Sequence, residues 1–241
     1  MSSFTNNPEP NLASFVVALD GPAASGKGTL GRQIAEHYRF PYLDTGILYR
    51  GVAWLALDTG VQPSDAALTA KIASGFSLDR IKNADVRSPE VTAAASVVAA
   101  HKGVREALFD FQRAFAKTPP GADQLRPGAV IDGRDIGTVI CPDAPVKLFV
   151  TATPEIRARR RWKQLIETNP TIPEADVLHD IKARDARDQG RADAPLKRAN
   201  DAELIDTSDL GIPAAFAAAR PIIDAALERW SAGAAFKQSP A

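Results

Sequence analysis

The sequence DGPAASGKGT, residues 20–29, spaces Gly21, Gly26 and Lys27 as in a Walker A phosphate-binding loop. It directly follows the apolar run 15–19 (FVVAL) and directly precedes a helical pattern, which is the context that such a loop requires. Glycines let the backbone bend until its N–H groups converge on phosphates, while the helix N-terminus and the lysine supply positive charge. The stretch therefore predicts a site for the phosphates of a nucleoside triphosphate, and an ordinary glycine turn is the weaker alternative.

Short apolar runs alternate with longer helical patterns along the rest of the chain. These runs cover residues 129–132, 146–150 and 203–206. Continuous apolar runs of this length suit strands that are buried on both faces, and their alternation with helices favours a parallel sheet. We therefore predict an α/β fold in which helices cover a parallel β-sheet.

Several residues predict where helices begin and break. Thr45 can cap a helix that follows a strand end and a turn, and Thr153 with Pro154 is a typical N-cap and first helical position. Pro221 lies inside the last helical pattern, 213–230, and is expected to kink that helix or to divide it in two.

The 241 residues suit one sizeable domain, which we place at residues 14–230. Residues 61–120 interrupt the alternation with helical stretches only, and they predict a small helical lobe beside the sheet. The polar segment 1–13 is expected to be a flexible N-terminal arm, and 231–241 a flexible C-terminal tail.

Composition excludes several classes of protein. Lys plus Arg and Asp plus Glu both number 29, so no overall charge attracts nucleic acid or an anionic membrane. The single cysteine, Cys141, excludes an internal disulfide and a zinc site built from several thiolates, and the three histidines show no metal-ligand spacing. With no signal peptide and no apolar run of about 20 residues, a cytoplasmic protein is expected, and we expect a monomer.

The residue after Lys27 distinguishes between classes of protein that carry a phosphate-binding loop. Most such loops place there the Ser or Thr that binds magnesium, whereas this chain has Gly28 and supplies a hydroxyl only at Thr29. The GKGT ending resembles the nucleoside monophosphate kinases. Since the guanine-reading Asn-Lys-x-Asp motif is also missing from the sequence, a GTPase is disfavoured.

Residues 132–137, DGRDIG, come directly after an apolar run. Asp132 would lie at the carboxyl edge of a parallel sheet, where α/β proteins bind ligands. A carboxylate there can hold the water shell of a magnesium ion, so Asp132 and Thr29 are our candidates for Mg²⁺, directly or through water. Asp132, Arg134 and Asp135 would be costly to bury without partners, which favours a binding site over a plain turn. A plain turn remains the alternative.

Arginines cluster in two later segments. One cluster contains Arg157, Arg159, Arg160 and Arg161, and the other contains Arg184, Arg187 and Arg191 with Asp188 on the same helix face. Such runs often form solvated helices whose charges pair with one another, and Asp185 and Asp188 make such pairing feasible here. Beside a phosphate-binding loop, the arginines would instead neutralise two polyphosphates that must approach each other.

Several motifs in a fixed order resemble the bacterial-type cytidylate kinases, which are nucleoside monophosphate kinases with the P-loop kinase fold. The resemblance covers residues 15–206. It rests on the sequences GPAASGKGT, LDTGILYRG, VTAAAS with VREAL, DGRDIGTV, PDAPVKLF and IKARDARDQGR followed by AP.

This resemblance implies transfer of the γ-phosphoryl group of ATP, with Mg²⁺, to CMP or dCMP. It implies that ATP is bound by Gly21, Pro22, Ala23, Ala24, Ser25, Gly26, Lys27, Gly28 and Thr29. Thr45, Arg50 and Arg134 would hold the acceptor phosphate, Ser96, Arg105, Asp135 and Arg191 would line the cytosine pocket, and Arg184 and Asp188 would meet the sugar.

The resemblance also implies a lid, residues 154–175, whose arginines 157–161 close over ATP. The expected catalytic residues are Lys27, Arg134, Arg157, Arg161 and Arg191. The family's nucleotide-binding insert typically carries a small sheet, but residues 78–89 are too few for all of it, so the helical lobe remains the prediction.

Two alternatives stay open from the sequence. The first is another small-molecule kinase of the same fold, with AMP, UMP or shikimate as acceptor. The second is a P-loop switch or adaptor that holds nucleotide without transferring phosphate, although a switch has only one anion to hold and does not need two arginine clusters.

Overall fold

Five parallel strands form one sheet in the computed structural model, which describes residues 15–122, 128–167 and 169–237. In chain order the strands are β1 (Phe15–Asp20), β2 (Tyr42–Asp44), β3 (Gly128–Gly133), β4 (Val146–Thr151) and β5 (Glu203–Asp206). Their order across the sheet is β2-β3-β1-β4-β5. Because every pairing is parallel, all strands end at the same edge, and the predicted α/β fold is confirmed.

Within the described residues, eight helices connect or follow these strands. They are α1 (Lys27–Tyr38), α2 (Gly46–Asp58), α3 (Ala66–Ser74), α4 (Pro89–Val98), α5 (Lys102–Lys117), α6 (Pro154–Leu165), α7 (Glu174–Gln189) and α8 (Ile212–Lys237). A 3₁₀ turn covers Leu78–Ile81, and a π-helical turn covers Ile136–Ile140. No helix of the described residues is both long and apolar enough to cross a membrane.

Alternate residues of β1 pack into two different cores. Phe15, Val17 and Leu19 face α1 and α8, whereas Val16 and Ala18 face the end of α5 and the π-helical turn. Both faces of the central strands are therefore covered. The edge strand β5 differs from the sequence prediction, because its Leu204 is 49% exposed.

Cys141 belongs to the second of these cores. Its side chain has no exposed surface, and burial raises the pKa of its thiol to about 12. The thiol is therefore protonated at neutral pH and shielded from solvent.

A separate apolar cluster joins α2, α3, α4 and α5 in one helical lobe. Its buried members include Leu48 and Val52 of α2, Val98 of α4, and Leu108 of α5. Residues 61–120 all lie in the described part of the chain, and none of them forms a strand. The lobe is thus helical, as the short 78–89 stretch predicted.

Helix starts and breaks only partly follow the sequence prediction. Thr153 caps α6, since its hydroxyl accepts a hydrogen bond from the Ile156 N–H, 3.4 Å away. Thr45 does precede α2, but the predicted side-chain cap is wrong. Its hydroxyl instead donates to the Asp132 carbonyl, 2.8 Å away, because that backbone oxygen lies at the end of the neighbouring strand.

Helix α8 runs through Pro221 without a break and ends at Lys237, so the predicted division is wrong. Ala219 and Ile223 on either side are fully buried against the sheet, which holds both halves of the helix in place. The predicted tail therefore starts too early, since α8 continues seven residues past Trp230. The predicted arm, 1–13, lies outside the described residues.

Candidate active site

The loop between β1 and α1 has the backbone that its glycines predicted. Gly21 has φ +153°, and a Cβ there would lie 2.0 Å from the Val150 carbonyl oxygen, so only glycine fits. Gly26 has φ +88° and directly precedes the first residue of α1, Lys27. The helix therefore starts within the loop, and its N-terminal N–H groups are available to an anion.

One cavity of about 860 Å³ adjoins this loop. Its walls contain most of the residues that the sequence singled out. From the loop these are Ala23, Ala24, Ser25, Gly26, Lys27, Gly28 and Thr29, and from elsewhere Thr45, Arg50, Asp132, Arg134, Asp135, Arg161, Arg184, Asp188 and Arg191. Gly21, Pro22, Ser96, Arg105 and Arg157 do not line it, and neither does any histidine of the described residues.

Lys27 is half-buried in the wall of this cavity. Burial first, and the nearby Arg134 guanidinium second, lower the pKa of its ammonium group to about 8, while the charge of Asp132 opposes the shift. A cation that is poorly solvated and lies near another cation is strongly stabilised when an anion binds beside it. The position therefore suits a lysine that binds phosphate.

Asp132 ends β3 and is 4% exposed. Burial raises the pKa of its carboxyl, and the charge of Lys27 opposes that shift. Its Oδ2 accepts a short hydrogen bond from the Tyr42 hydroxyl. Thr29, the second candidate for the metal, lines the same cavity and is exposed.

No group of three or more Asp, Glu, His or Cys side chains in the described residues could hold a metal ion alone. Magnesium rarely needs such a group, because it is usually bound by one or two carboxylates, by waters and by substrate phosphates. One buried carboxylate and one exposed hydroxyl beside the phosphate loop therefore fit magnesium.

Asp188 organises a group of arginines in the cavity wall. It is 1% exposed, and its two oxygens lie 2.9 Å from Arg134 Nε, 2.5 Å from an Arg191 nitrogen and 3.9 Å from Arg184 Nε. Burial alone would raise the pKa of this carboxyl, but the three guanidinium groups together hold it below its usual range. Three arginines on one carboxylate leave a surplus of positive charge facing the cavity.

Four polar side-chain atoms of the cavity wall have no hydrogen-bond partner within the described residues. They are Ser25 Oγ, Arg50 Nε, Arg184 Nε and Arg191 Nε. Buried polar groups are almost always paired, since leaving one unpaired costs about 1–3 kcal/mol. All four can donate hydrogen bonds, so the cavity is built to receive acceptor atoms such as phosphate oxygens.

Asp44 is a member of the site that the sequence analysis missed. It ends β2 and accepts a hydrogen bond from Arg50 at 2.8 Å, and Arg87 of the helical lobe lies 3.9 Å away. Burial would raise the pKa of Asp44, but Arg50 first and then Lys27 and Arg87 lower it. Its place at a strand end next to Thr45 was a usable signal, the same one that identified Asp132.

Asp135 lies between the large cavity and a smaller one of about 260 Å³. Arg105 and Tyr49 line the smaller cavity with it. Burial raises the pKa of Asp135, while Arg191, Arg105 and Arg134 oppose that shift. The structure thus brings Asp135 together with two of its predicted companions, Arg105 and Arg191.

Ser96 is buried but reaches neither cavity, and its hydroxyl accepts a hydrogen bond from Arg187 Nε at 3.2 Å. Arg105 donates to the carbonyl oxygens of Ala99 and Ala100 at 3.0 and 2.9 Å. Arg191 lies just beyond α7, which ends at Gln189, so the predicted single helix face is wrong at this residue.

The lid arginines separate into different roles. Arg157 is 3% exposed, and its guanidinium group makes two hydrogen bonds to Asp185, at 3.0 and 2.6 Å, and others to the carbonyl oxygens of Ala152 and Ala23. It therefore lies behind the loop and not in the cavity, which argues against the predicted catalytic role. The pairing with Asp185 is the alternative that the sequence left open.

Arg161 does line the cavity, and its guanidinium group donates a hydrogen bond to Gln164 Oε1 at 3.3 Å. Its neighbour Arg160, for which no separate role was predicted, also lines the cavity and donates to the Thr207 hydroxyl at 2.9 Å. The Thr207 hydroxyl in turn lies 2.8 Å from the Ser25 carbonyl oxygen. Arg160 and Thr207 thus connect α6 to the phosphate loop.

Asp20 is a positioning residue that sequence reasoning overlooked. It ends β1, and its two oxygens accept hydrogen bonds from the Ile136 and Gly137 N–H groups at 2.8 and 2.7 Å. Burial raises the pKa of Asp20 to about 6, although these two hydrogen bonds oppose the shift. The side chain thereby fixes the turn that carries Arg134 and Asp135.

Comparisons with known proteins identify relatives over most of the chain. A family model described as "Cytidylate kinase" matches residues 17–223. Proteins named cytidylate kinase from Caulobacter sp. (strain K31) and Brucella suis biovar 1 are 49% and 50% identical, each over 90% of this chain and over 97% and 95% of their own lengths. The one from Sinorhizobium medicae is 49% identical over 90% of this chain and 99% of its own length.

A solved structure shares the fold at low sequence identity. It is an uncharacterized protein from Eubacterium ventriosum, with a TM-score of 0.50 and 16% identity over 88% of this chain and 99% of its own. The family model covers far more than half of the chain, and the relatives match nearly their whole length. The chain belongs to the cytidylate kinase family.

Proposed function

We propose that this chain transfers the γ-phosphoryl group of ATP to CMP or dCMP and releases ADP with CDP or dCDP. The observation that carries the proposal is a cavity lined by two groups of cationic residues. The loop with Lys27 forms one group, and the three arginines around Asp188 form the other. Membership of the cytidylate kinase family supports the choice of acceptor.

On the donor side, the loop 21–29 holds the phosphates of ATP. Backbone N–H groups and Lys27 neutralise the charge that builds up on the transferred phosphoryl group. Arg161 approaches from the lid helix and excludes water from the reacting group, since water would otherwise take the phosphoryl group. Arg160 keeps that helix attached to the loop through Thr207.

On the acceptor side, Thr45, Arg50 and Arg134 hold the phosphate of CMP. Arg191 lies near Asp135 in the cytosine pocket. The attacking oxygen belongs to a phosphate that is already ionised near neutral pH, so the reaction needs no general base. The protein's task is to bring two anions together in line and to neutralise them. Arg184 and Asp188 meet the sugar.

Asp135 reads the base. Cytosine carries an amino donor at C4 where uracil carries an oxygen, and a carboxylate is the natural acceptor for that amino group. The charges of Arg191, Arg105 and Arg134 favour the ionised form of Asp135 against its burial. Arg105 and the buried Ser96 shape the wall behind the base.

The metal is Mg²⁺, held by the Asp132 carboxylate and the Thr29 hydroxyl, directly or through water. When bound with ATP, Mg²⁺ neutralises phosphate charge and orients the transferred group. Asp132 contributes a fixed anionic oxygen next to Lys27, which balances the ammonium charge and keeps the donor site from being overly cationic.

The protein acts as a cytoplasmic monomer without nucleic-acid partners. One chain supplies every residue that the reaction requires, so no second copy is needed to complete the site. Equal numbers of basic and acidic residues give no general attraction for nucleic acid. ATP and CMP are metabolites of the cytoplasm, and the one cysteine is a buried free thiol, as suits a reducing compartment.

A coupled assay of ADP release over a panel of acceptors tests the proposal. CMP and dCMP should give kcat/KM values well above those of UMP, AMP and shikimate. Asp188→Asn should lose activity with every acceptor, because it releases the three arginines from their shared anchor. Preference for another acceptor would refute the substrate assignment, and ADP release no faster with CMP than without it would indicate a nucleotide-binding switch.

A further inference from the structure

Gly28 stands where most phosphate-binding loops carry a metal-binding hydroxyl, and the structure shows what occupies the nearby space. A Cβ at this position would lie 3.3 Å from Asp132 Oδ2 and 3.5 Å from the Tyr42 hydroxyl oxygen. Because Gly28 has no side chain, the Asp132 carboxylate and the Tyr42 hydroxyl have room to meet beside the first turn of α1.

Tyr42 lies on β2 and reaches this point from the side. Its ring packs so closely against α1 that a Cβ at Gly31 would lie 2.9 Å from Cε2, and the Arg32 guanidinium carbon lies 5.9 Å from the ring centroid. Its hydroxyl donates a hydrogen bond to Asp132 Oδ2, and the Tyr42 hydroxyl oxygen also lies 3.4 Å from the Gly28 carbonyl oxygen. Gly28 and Gly31 of α1 thus both leave space for the Tyr42 side chain.

We propose that Tyr42 is a positioning residue for the metal-binding carboxylate. Its hydroxyl fixes Oδ2 of Asp132, so that the other oxygen is directed to Mg²⁺ or to its water shell. The inference rests on the proposed function, in which Asp132 holds the magnesium of the donor nucleotide.

The choice of a phenol has a physical reason. A carboxylate can accept several hydrogen bonds, so one donor holds it without exhausting its capacity for a cation. A neutral hydroxyl restrains the group while leaving its negative charge intact, whereas lysine or arginine at the same place would cancel that charge. Partners of this kind, which orient a metal ligand, typically change metal affinity by about 10–100-fold when removed.

The test distinguishes the contribution of the Tyr42 hydroxyl from that of the Tyr42 ring. Tyr42→Phe keeps the ring that packs against Gly31 and removes only the oxygen. Tyr38→Phe is the matched control, because its hydroxyl donates to Asp224 Oδ1 at 2.7 Å and joins α1 to α8 away from the cavity. Asp132→Asn serves as the reference for loss of the carboxylate charge.

The affinity for ADP is measured by calorimetry, first in EDTA and then at increasing Mg²⁺, with no acceptor present. Tyr42→Phe should bind ADP like the wild type in EDTA but should need about tenfold more Mg²⁺ to reach half of the magnesium-dependent gain. Tyr38→Phe should match the wild type at every Mg²⁺ concentration. The binding in EDTA also reports whether each variant has kept its phosphate loop.

Three results would overturn the inference, and they are distinguishable. A normal Mg²⁺ requirement in Tyr42→Phe, with a lost one in Asp132→Asn, refutes the role of Tyr42 alone. Equal loss of ADP affinity in EDTA and in Mg²⁺ means that Tyr42 supports the loop and not the metal carboxylate. A normal Mg²⁺ requirement in Asp132→Asn refutes both the inference and the metal site of the proposed function.

Discussion

Exchanging Arg157 for glutamine should destabilise the protein strongly. The side chain is 3% exposed, its guanidinium group makes four hydrogen bonds, and two of these reach an Asp185 side chain that is itself only 15% exposed. Removing one partner of such a buried pair leaves the other charge uncompensated and costs about 3–5 kcal/mol. For a chain of this size that corresponds to a fall in Tm of about 6–20 °C.

Urea unfolding followed by circular dichroism measures this loss directly. Arg159→Gln is the matched control on the same helix, since Arg159 pairs with Glu174 at 3.3 Å while its side chain is 62% exposed. An exposed pair of this kind contributes under about 1 kcal/mol. Arg157→Gln combined with Asp185→Asn should lose less than the sum of the single changes, because neither charge is then left alone.

A small loss of stability together with a large loss of kcat in Arg157→Gln would contradict a structural role for this residue. If Arg157→Gln unfolds within about 1 kcal/mol of the wild type yet loses kcat steeply, the residue acts in catalysis, as the sequence alone had predicted. A double-variant loss equal to the sum of the two single losses would show that Arg157 and Asp185 are not energetically coupled.

Four further outcomes follow from the site. Lys27→Ala should lower kcat at least about tenfold with the fold intact, and near-native turnover would exclude the loop as the donor site. Arg161→Gln should lower kcat and change the free energy of unfolding by less than about 0.5 kcal/mol, whereas unchanged kinetics would make it an ordinary surface arginine. Asp135→Ala should reduce the ratio of kcat/KM for CMP to that for UMP by about five- to 150-fold, the equivalent of about 1–3 kcal/mol, and a constant ratio would mean that the base is read elsewhere. Because burial lowers the pKa of Lys27 to about 8, the free enzyme loses this positive charge as the pH rises above that value. Triphosphate binding should therefore weaken between pH 8 and 10 and take up a proton there, and a calorimetric proton uptake near zero at pH 9 would contradict this.

The strands could be predicted because their signals are local. Residues 15–19 and 146–150 are runs of apolar residues next to a glycine loop and to a Thr-Pro helix start, so each boundary was marked in the sequence itself. The phosphate loop was predictable for the same reason, since Gly21 and Gly26 are needed by backbone geometry within that segment.

The arginines could not be assigned because their partners are distant in sequence. Arg157 and Arg161 are one helical turn apart and look alike, yet the first meets Asp185, 28 residues later, and the second faces the cavity. Asp20 was equally ambiguous, because the two N–H groups that it holds lie 116 and 117 residues away. Only the parallel sheet brings those segments to one edge.

Thr45 shows how tertiary structure overrides a local rule. Its sequence position is that of a helix cap, but β3 lies beside it and offers the Asp132 carbonyl oxygen at hydrogen-bond distance. Thr45, held to the strand end in this way, lines the cavity.

The buried position of Cys141 makes the native chain suitable for site-specific dye attachment. Thiol-reactive dyes need an accessible thiolate, and this sulfur offers neither access nor charge at neutral pH. Cysteines introduced at the exposed positions Ser77, in the helical lobe, and Glu167, just after the lid helix, could therefore carry a fluorophore pair without removal of the native residue. Energy transfer between the two dyes would measure, one molecule at a time, whether these two positions approach each other when ATP and CMP are added.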